Sequence, residues 1–459
     1  MGSVLTVGGI YVPEEIDQTG GQGKFRQLRK REKYMIRGRR LYYGWWIVVA
    51  ALGLTALTTG TGYYSYSVFF KPLMREFGWT RAATSVAQSI YSIMYGAAGV
   101  LGGKLIERYS ITKIVFLAVL IEGTSFLLLS LTSNLWHLYI AYFLVGLGTG
   151  GVGTVTLATV VSNWFIKRRG VAMGITTAGM ALGAMLIVPI AGFIIESSGW
   201  RLAFIFMGLL FYVVGIPLAL FVLKKSPEEM GLLPDGERQS NTRKVMIEAN
   251  AQISSATGTG KGRLITLLNS LPIWVLSAGF FLAYAGENAI LVHEVPFATD
   301  MGVPATVAAV AMGFTGGIGG IGKVVLGWLT DKLSTRYVVL ICFTIQIVGV
   351  LILMQTRTMA MLWLFVVVFG FGMGGAAALV PLSVGDRFGI ASFGIVFGIV
   401  NFLGNIGSAV GPYFAGYVFD ITGAYSFAFT TFIVTYIVAI ILVYYAWGLN
   451  PRPIKSLRR

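Results

Sequence analysis

Gly103-Lys104-Leu105-Ile106-Glu107-Arg108 closes one long apolar stretch of the chain, and Gly327-Trp328-Leu329-Thr330-Asp331-Lys332 closes another, 224 residues further on (327 − 103). Each sets an acid four positions after a glycine and a base directly after the acid. Working outward, the same offset relates Pro72, Glu76 and Gly78 to Pro296, Asp300 and Gly302. It relates Gly146, Gly148, Gly150 and Gly151 to Gly370, Gly372, Gly374 and Gly375, and Gly183, Gly192, Glu196 and Gly199 to Gly407, Gly416, Asp420 and Gly423. A chain with 60 glycines produces chance glycine matches. Paired acids and prolines at one fixed offset are not chance. The chain is two homologous halves running in the same sense.

Composition says what those halves are made of. Of 459 residues, 56% are hydrophobic and 12% charged, against about 25% charged in ordinary soluble domains. Continuous apolar runs, each long enough to cross about 30 Å of hydrocarbon, are read at 42–70, 81–103, 113–132, 136–161, 170–195 and 200–223, then at 271–293, 305–329, 336–354, 361–382, 392–419 and 423–447. The runs do not alternate as barrel strands do, and backbone groups in lipid must bond within their own segment, so helices are expected. The expected fold is an all-α membrane protein of twelve transmembrane helices, in two parallel six-helix halves related by an axis along the membrane normal. The corresponding division is a basic tail over 1–40, a first half over 41–223, a linker over 224–268, a second half over 269–447 and a tail over 448–459.

The formal charge of +16 sets topology and does not point to nucleic acid. Nine of the 35 Lys and Arg residues fall between Lys24 and Arg40. Most others lie in alternate connections: Lys104, Arg108 and Lys113; Lys167 to Arg169; Lys224 to Arg263; Lys332 and Arg336; and Arg452 to Arg459. This is the positive-inside bias, which places both tails in the cytoplasm of a multi-pass protein of the cell membrane. Tyr42, Tyr43, Trp45 and Trp46 suit an interfacial belt, and the basic stretch before them suits an anionic lipid surface. Cys342 is the only cysteine, so no intrachain disulfide forms. Met1–Arg40 is too polar for a secretory signal.

Enzyme chemistry finds no footing. Gly148-x-Gly150-x-x-Gly153 and Gly370-x-Gly372-x-x-Gly375 spell a dinucleotide fingerprint, but both sit inside apolar runs, without the strand that the motif requires. Small residues there serve helix packing. Gly258-Thr-Gly260-Lys261-Gly262 lacks P-loop spacing. Two histidines and one cysteine form no metal or nucleophile constellation. No cofactor or metal is expected.

The Gly103–Arg108 and Gly327–Lys332 loops resemble the signature loop of the major facilitator superfamily, G-x-x-x-D-R-x-G-R-R/K. This chain departs from it at Glu107, Ser110 and Ser334. The resemblance implies that Glu107, Arg108, Asp331 and Lys332 gate the inner face, pairing to latch the outward-open state. A narrower resemblance rests on Tyr43-Gly44-Trp45-Trp46, Phe69-Phe70-Lys71-Pro72-Leu73, Trp164-Phe165 with Lys167-Arg168-Arg169-Gly170, and Ala172 with Gly174. It continues through His293-Glu294-Val295-Pro296-Phe297-Ala298 with Asp300 and Gly302, and Asp386-Arg387-Phe388-Gly389. Together these look like the monocarboxylate porter family and its prokaryotic relatives near the oxalate/formate antiporter group, over roughly 41–447.

Lys323 is the most informative residue. It stands eight positions before Asp331, roughly 12 Å from the helix end, where a cation is costly unless paired or facing a wet cavity. Its repeat position is Gly99, so the charge belongs to one half. In the resembled family a basic residue in a G-R-x-x-x-G context contacts the substrate carboxylate, and Gly322-Lys323-Val324-Val325-Leu326-Gly327 matches it. A snorkelling or structurally paired lysine is the other reading. The human-type members carry an Asp where this chain has Gly319. The oxalate/formate members carry a lysine where it has Gly404. A monoanion therefore fits better than a dianion.

Glu287 is the candidate proton site, about 9 Å below His293 by helical rise; a structural role, or a pair with Lys323 across the cavity, stands beside that reading. His293 and Glu294 are expected near the outer face, where solvation is the alternative to a share in proton coupling. Glu122 is expected to serve helix packing. Tyr63 and Tyr66, with Phe70, share a helix face and either line the cavity or pack. Asn401 and Asn405, one turn apart, bond either a substrate or each other. The combined reading is a secondary carrier of a small monocarboxylate, lactate or pyruvate or similar, coupled to protons. The alternatives are an oxalate/formate-type antiporter, an efflux carrier for amphipathic compounds and a non-transporting membrane sensor. A monomer suffices; the sequence does not fix an oligomeric state.

Overall fold

The computed structural model describes residues 42–236 and 267–449, with the backbone alone at 100–108, 154, 155, 390 and 391. The basic tail 1–40, most of the 224–268 linker and nearly all of the 448–459 tail lie outside the described residues. Among those described, no strand occurs and the long elements are helices. They are α1 (Gly44–Phe77), α2 (Arg81–Arg108), α3 (Ile111–Ser130), α4 (Leu135–Trp164), α5 (Arg169–Ser198) and α6 (Trp200–Val222), then α7 (Leu271–Asp300), α8 (Ala305–Leu329), α9 (Thr335–Gln355), α10 (Met359–Gly389), α11 (Ser392–Thr422) and α12 (Ser426–Gly448). Eleven are long and apolar enough to cross a membrane. The twelfth, α2, carries Thr84, Ser85, Gln88, Ser89 and Ser92 near its start. Gly389 separates α10 from α11 at φ 71°, a conformation that a Cβ would strain.

Two helices run further than the apolar runs indicate. α1 passes through Pro72 to Phe77, and α7 passes through Pro296 to Asp300. A proline inside a helix removes one N–H and orphans the carbonyl four residues earlier. For Pro296 that carbonyl is Val292, and Ser67 of α1 donates to it at 2.9 Å while accepting from the Val295 N–H at 3.2 Å. In α11, Pro412 frees the Ser408 carbonyl, and Asn288 of α7 donates its amide to it at 2.6 Å. Side chains of neighbouring helices thus complete the two interrupted ladders.

The internal repeat reappears as packing. A Cβ on Gly146 would lie 2.7 Å from the Tyr91 carbonyl oxygen, and one on Gly370 would lie 2.6 Å from that of Thr315. Each of these residues stands at the 224-residue offset from its counterpart. Only glycine permits such a close approach of helix backbones. The same holds for α3 against α4 and α9 against α10, where Gly148 meets Glu122 and Gly372 meets Gln346. Glu122 is fully buried and accepts a hydrogen bond from Thr149 at 2.8 Å. Its counterpart Gln346, also fully buried, accepts one from Tyr436 at 2.6 Å. The second half thus fills the same slot with the neutral analogue. Glu122→Gln is therefore expected to change stability by less than about 1 kcal/mol, as thermal unfolding of the purified protein would measure. A larger loss would show that the carboxylate itself holds the α3–α4 contact.

The two halves meet along a seam that is closed at one end only. Between α2 and α11, contacts run from Arg81 and Asp420 through Ser89, which donates to the Ala409 carbonyl, to Gly96 against Asn405. Between α5 and α8 they run from Gly192 and Ala309 through Gly313 and Ala184 to Gly320 and Ala181. Further toward the end from which both chain tails leave, Gly99, Gly174, Gly327, Gly394 and Gly398 have no neighbour among the described residues within 4 Å of where a Cβ would stand. The halves are therefore pressed together away from the tails and parted toward them.

Candidate substrate site

Lys323 sits where the closed part of the α5–α8 seam ends, one turn beyond Gly320. The same turn of α8 packs tightly on α10, since a Cβ on Gly322 would overlap the Phe371 carbonyl. That contact turns Lys323 toward α5, where its Nζ lies 3.3 Å from the Met180 thioether sulfur. A thioether is a weak acceptor, and no carboxylate pairs with Lys323 among the described residues. The ammonium is half-buried and lacks a counter-ion in contact.

Glu287 of α7 is buried, and its Oε2 has no hydrogen-bond partner among the described residues. It lies within electrostatic reach of Lys323 without a direct ion pair. Tyr63, Tyr64 and Tyr284 also lie within reach of its charge. Tyr64 and Tyr284 are contributions that the linear pattern did not bring forward, although Tyr284 stands one helical turn before Glu287. The ring of Tyr284 also covers Gly404, whose Cβ position is 2.6 Å from it. An aromatic ring thus occupies the space next to the position that a second cation would take.

The other expected residues divide. Tyr63 is half-buried, with its ring edge-to-face against Tyr64 and tilted against Tyr91. Tyr66 is fully buried, packs edge-on against Tyr142 and donates to the Thr84 carbonyl, so it belongs to the interior of the first half. A π-helical turn over Thr59–Tyr64 breaks the 3.6-residue register that put the two tyrosines on one face. Asn405 donates to the Asn401 carbonyl at 2.8 Å rather than to its side chain. The Asn401 amide is half-buried and has no hydrogen bond among the described residues.

His293 is not solvated. It is fully buried, with Nε2 at 3.0 Å from the Pro412 carbonyl and Nδ1 at 2.9 Å from the Tyr425 hydroxyl. A carbonyl only accepts, which places a proton on Nε2, and in the neutral ring Nδ1 is then the acceptor from Tyr425. Glu294 is buried as well, accepting from Thr315 at 2.8 Å. The structure therefore sets His293 in the closed end of the seam, apart from the Lys323–Glu287 space. Of the expected gate, Asp331 and Lys332 are exposed and make no ion pair among the described residues. The side chains of Glu107 and Arg108 lie outside them.

Comparison with known proteins gives a consistent picture. A family model described as Major Facilitator Superfamily matches residues 52–337 and 276–459. Monocarboxylate transporter 12 of Rattus norvegicus is 28% identical over 405 residues, covering 84% of this chain and 82% of its own length. The oxalate:formate antiporter of Oxalobacter formigenes is 24% identical over 407 residues, covering 85% and 91%. Among solved structures, a bacterial homologue of the human lysosomal transporter Spinster, in an inward-facing and unoccupied conformation, superposes with a TM-score of 0.67 at 17% identity. That match covers 88% of this chain and 97% of the other.

Proposed function

The chain belongs to the Major Facilitator Superfamily, and from that premise we propose that it is a secondary carrier of a small monocarboxylate, coupled to protons. The observation that supports this most is the pair of uncompensated groups at the end of the closed seam. Lys323 offers a cation without an anion, and Glu287 a carboxyl without a partner at Oε2. A charge held away from water is costly until an opposite charge joins it. A carboxylate placed on Lys323 supplies that charge, and the substrate's other end then faces Tyr63, Tyr64 and Tyr284. The absence of a second cation beside Gly404 favours a monoanion over oxalate. Likeness to monocarboxylate transporters supports the substrate class, and likeness to the oxalate:formate antiporter supports carboxylate transport in general.

In this reading both tails are cytoplasmic, following the distribution of Lys and Arg. The parted end of the seam is then the cytoplasmic one, and the conformation is inward-open. Asp331 and Lys332, with Glu107 and Arg108, form the inner latch, and Asp331 and Lys332 make no ion pair among the described residues. The test is uptake of radiolabelled lactate into vesicles containing the purified protein. An inward-directed proton gradient should drive accumulation above that of protein-free vesicles. Equal uptake with and without the gradient would remove proton coupling, and no uptake of any monocarboxylate would remove the substrate class.

A further inference from the structure

The closed end of the seam holds a group of charges that the substrate reading does not use. Arg81, at the start of α2 in the first half, is 6% exposed. Its guanidinium donates to Asp300 of α7 at 2.7 Å and to the Tyr425 hydroxyl, and it lies 3.5 Å from the centroid of the Phe419 ring. The backbone N–H groups of Arg81 and Ala82 donate to the two carboxylate oxygens of Asp420 at 2.9 and 2.8 Å. Asp420, from α11, thereby caps the first turn of a helix in the other half, where an anion is favoured by the helix dipole. Lys71 of α1 reaches Asp300 at 2.5 Å. Every one of these bases and capped N–H groups belongs to the first half, and every acid to the second.

The repeat explains why the acids are available. Asp300 corresponds to Glu76 at the 224-residue offset. Glu76 is satisfied inside its own half, accepting from Trp200 at 2.6 Å and pairing with Arg201 at 2.6 Å. The position that corresponds to Arg201 is Tyr425 (201 + 224). Asp300 therefore has no base from its own half at that position, and Arg81 crosses the seam to fill the place. Tyr425 accepts from the Arg81 N–H and donates its O–H to Nδ1 of the neutral His293 ring, whose Nε2–H donates to the Pro412 carbonyl. The chain of donors is consistent in one direction from Arg81 to the α11 backbone.

We propose that Arg81, Asp300, Asp420 and Tyr425 form the outer lock that holds the two halves closed away from the tails, and that tyrosine at 425 in place of arginine is what commits Asp300 to it. The proposal rests on the carrier reading only in that the two halves must part there to admit substrate. A guanidinium this buried is stable only with its carboxylate partner in place, so the Arg81–Asp300 pair carries most of the lock. In the outward-open state the seam parts, and Arg81, Asp300 and Asp420 regain water.

The test needs no substrate. Spin labels on cysteines replacing the exposed Ser197 and Thr358, in a Cys342→Ser background, report the separation of the two halves at the locked end. Arg81→Gln should raise the long-distance population on the order of tenfold or more, as expected when one partner of a buried charge pair is removed. Tyr425→Arg should do the same with Arg81 intact, because Asp300 then gains a base from its own half. Tyr425→Phe keeps the Arg81–Asp300 pair and should shift the distribution far less. Unchanged distances in both Arg81→Gln and Tyr425→Arg would overturn the proposal. The lock stands if these shifts occur even where no monocarboxylate is carried, and it falls without them even where lactate transport is normal.

Discussion

Lys323→Ala is expected to abolish binding and transport of an anionic substrate while leaving the protein folded and inserted. Truncating one partner of a desolvated charge pair costs about 2–5 kcal/mol, or roughly 30-fold to several thousand-fold in affinity. The fold does not depend on the ammonium, because its contact in the structure is a thioether and not a carboxylate. Lys323→Arg should retain part of the affinity with altered selectivity, since a planar fork replaces a point charge. Equilibrium binding of labelled lactate to the purified variants measures both. Near-parental affinity in Lys323→Ala would make the lysine structural.

Glu287→Gln should separate coupling from movement. For one proton per substrate, a gradient of one pH unit supports about tenfold accumulation, since about 1.4 kcal/mol corresponds to a factor of ten. The variant has no titrating group at this position, so accumulation should fall to none. Exchange of internal for external substrate involves no net proton movement and should persist. The two assays on the same vesicles decide the matter. Accumulation that survives the substitution would show that the proton enters elsewhere.

Much of the fold was legible because it depends on local chemistry repeated twice. Apolar length identifies the spans, and the fixed offset identifies the two halves. Gly146 and Gly370 could be matched from the letters alone, and their shared packing follows from the absence of a Cβ. Helix ends were less legible at α1 and α7. The apolar runs end at 70 and 293, before Pro72 and Pro296, yet the helices continue through both prolines, and the Val292 carbonyl that Pro296 frees is satisfied by Ser67, 225 residues away (292 − 67). Nothing local announces such a partner.

The site was legible in its charges and less so in its walls. Lys323 and Glu287 stand out because charge is rare in apolar runs. Of the two readings left open for Tyr66, packing is the one the structure shows, because one π-helical turn shifts the register between it and Tyr63. The outer lock was hidden because Arg81 has its meaning only through Asp300, Asp420 and Tyr425, which lie more than 200 residues away in the chain. The one available signal was a mismatch in the repeat, Arg201 against Tyr425, and its importance appears only when the Glu76 and Asp300 environments are compared.

The central claim is that one half-buried cation, Lys323, reads the carboxylate of the substrate. Its most direct test is the binding of lactate and of its neutral amide, lactamide, to the purified parent protein and to Lys323→Ala. The parent should bind lactate and discriminate against lactamide by 30-fold or more, on the order of the charge-pair contribution, and Lys323→Ala should bind neither preferentially. Equal affinity of the parent for lactate and lactamide, or discrimination that survives the loss of Lys323, would contradict the account.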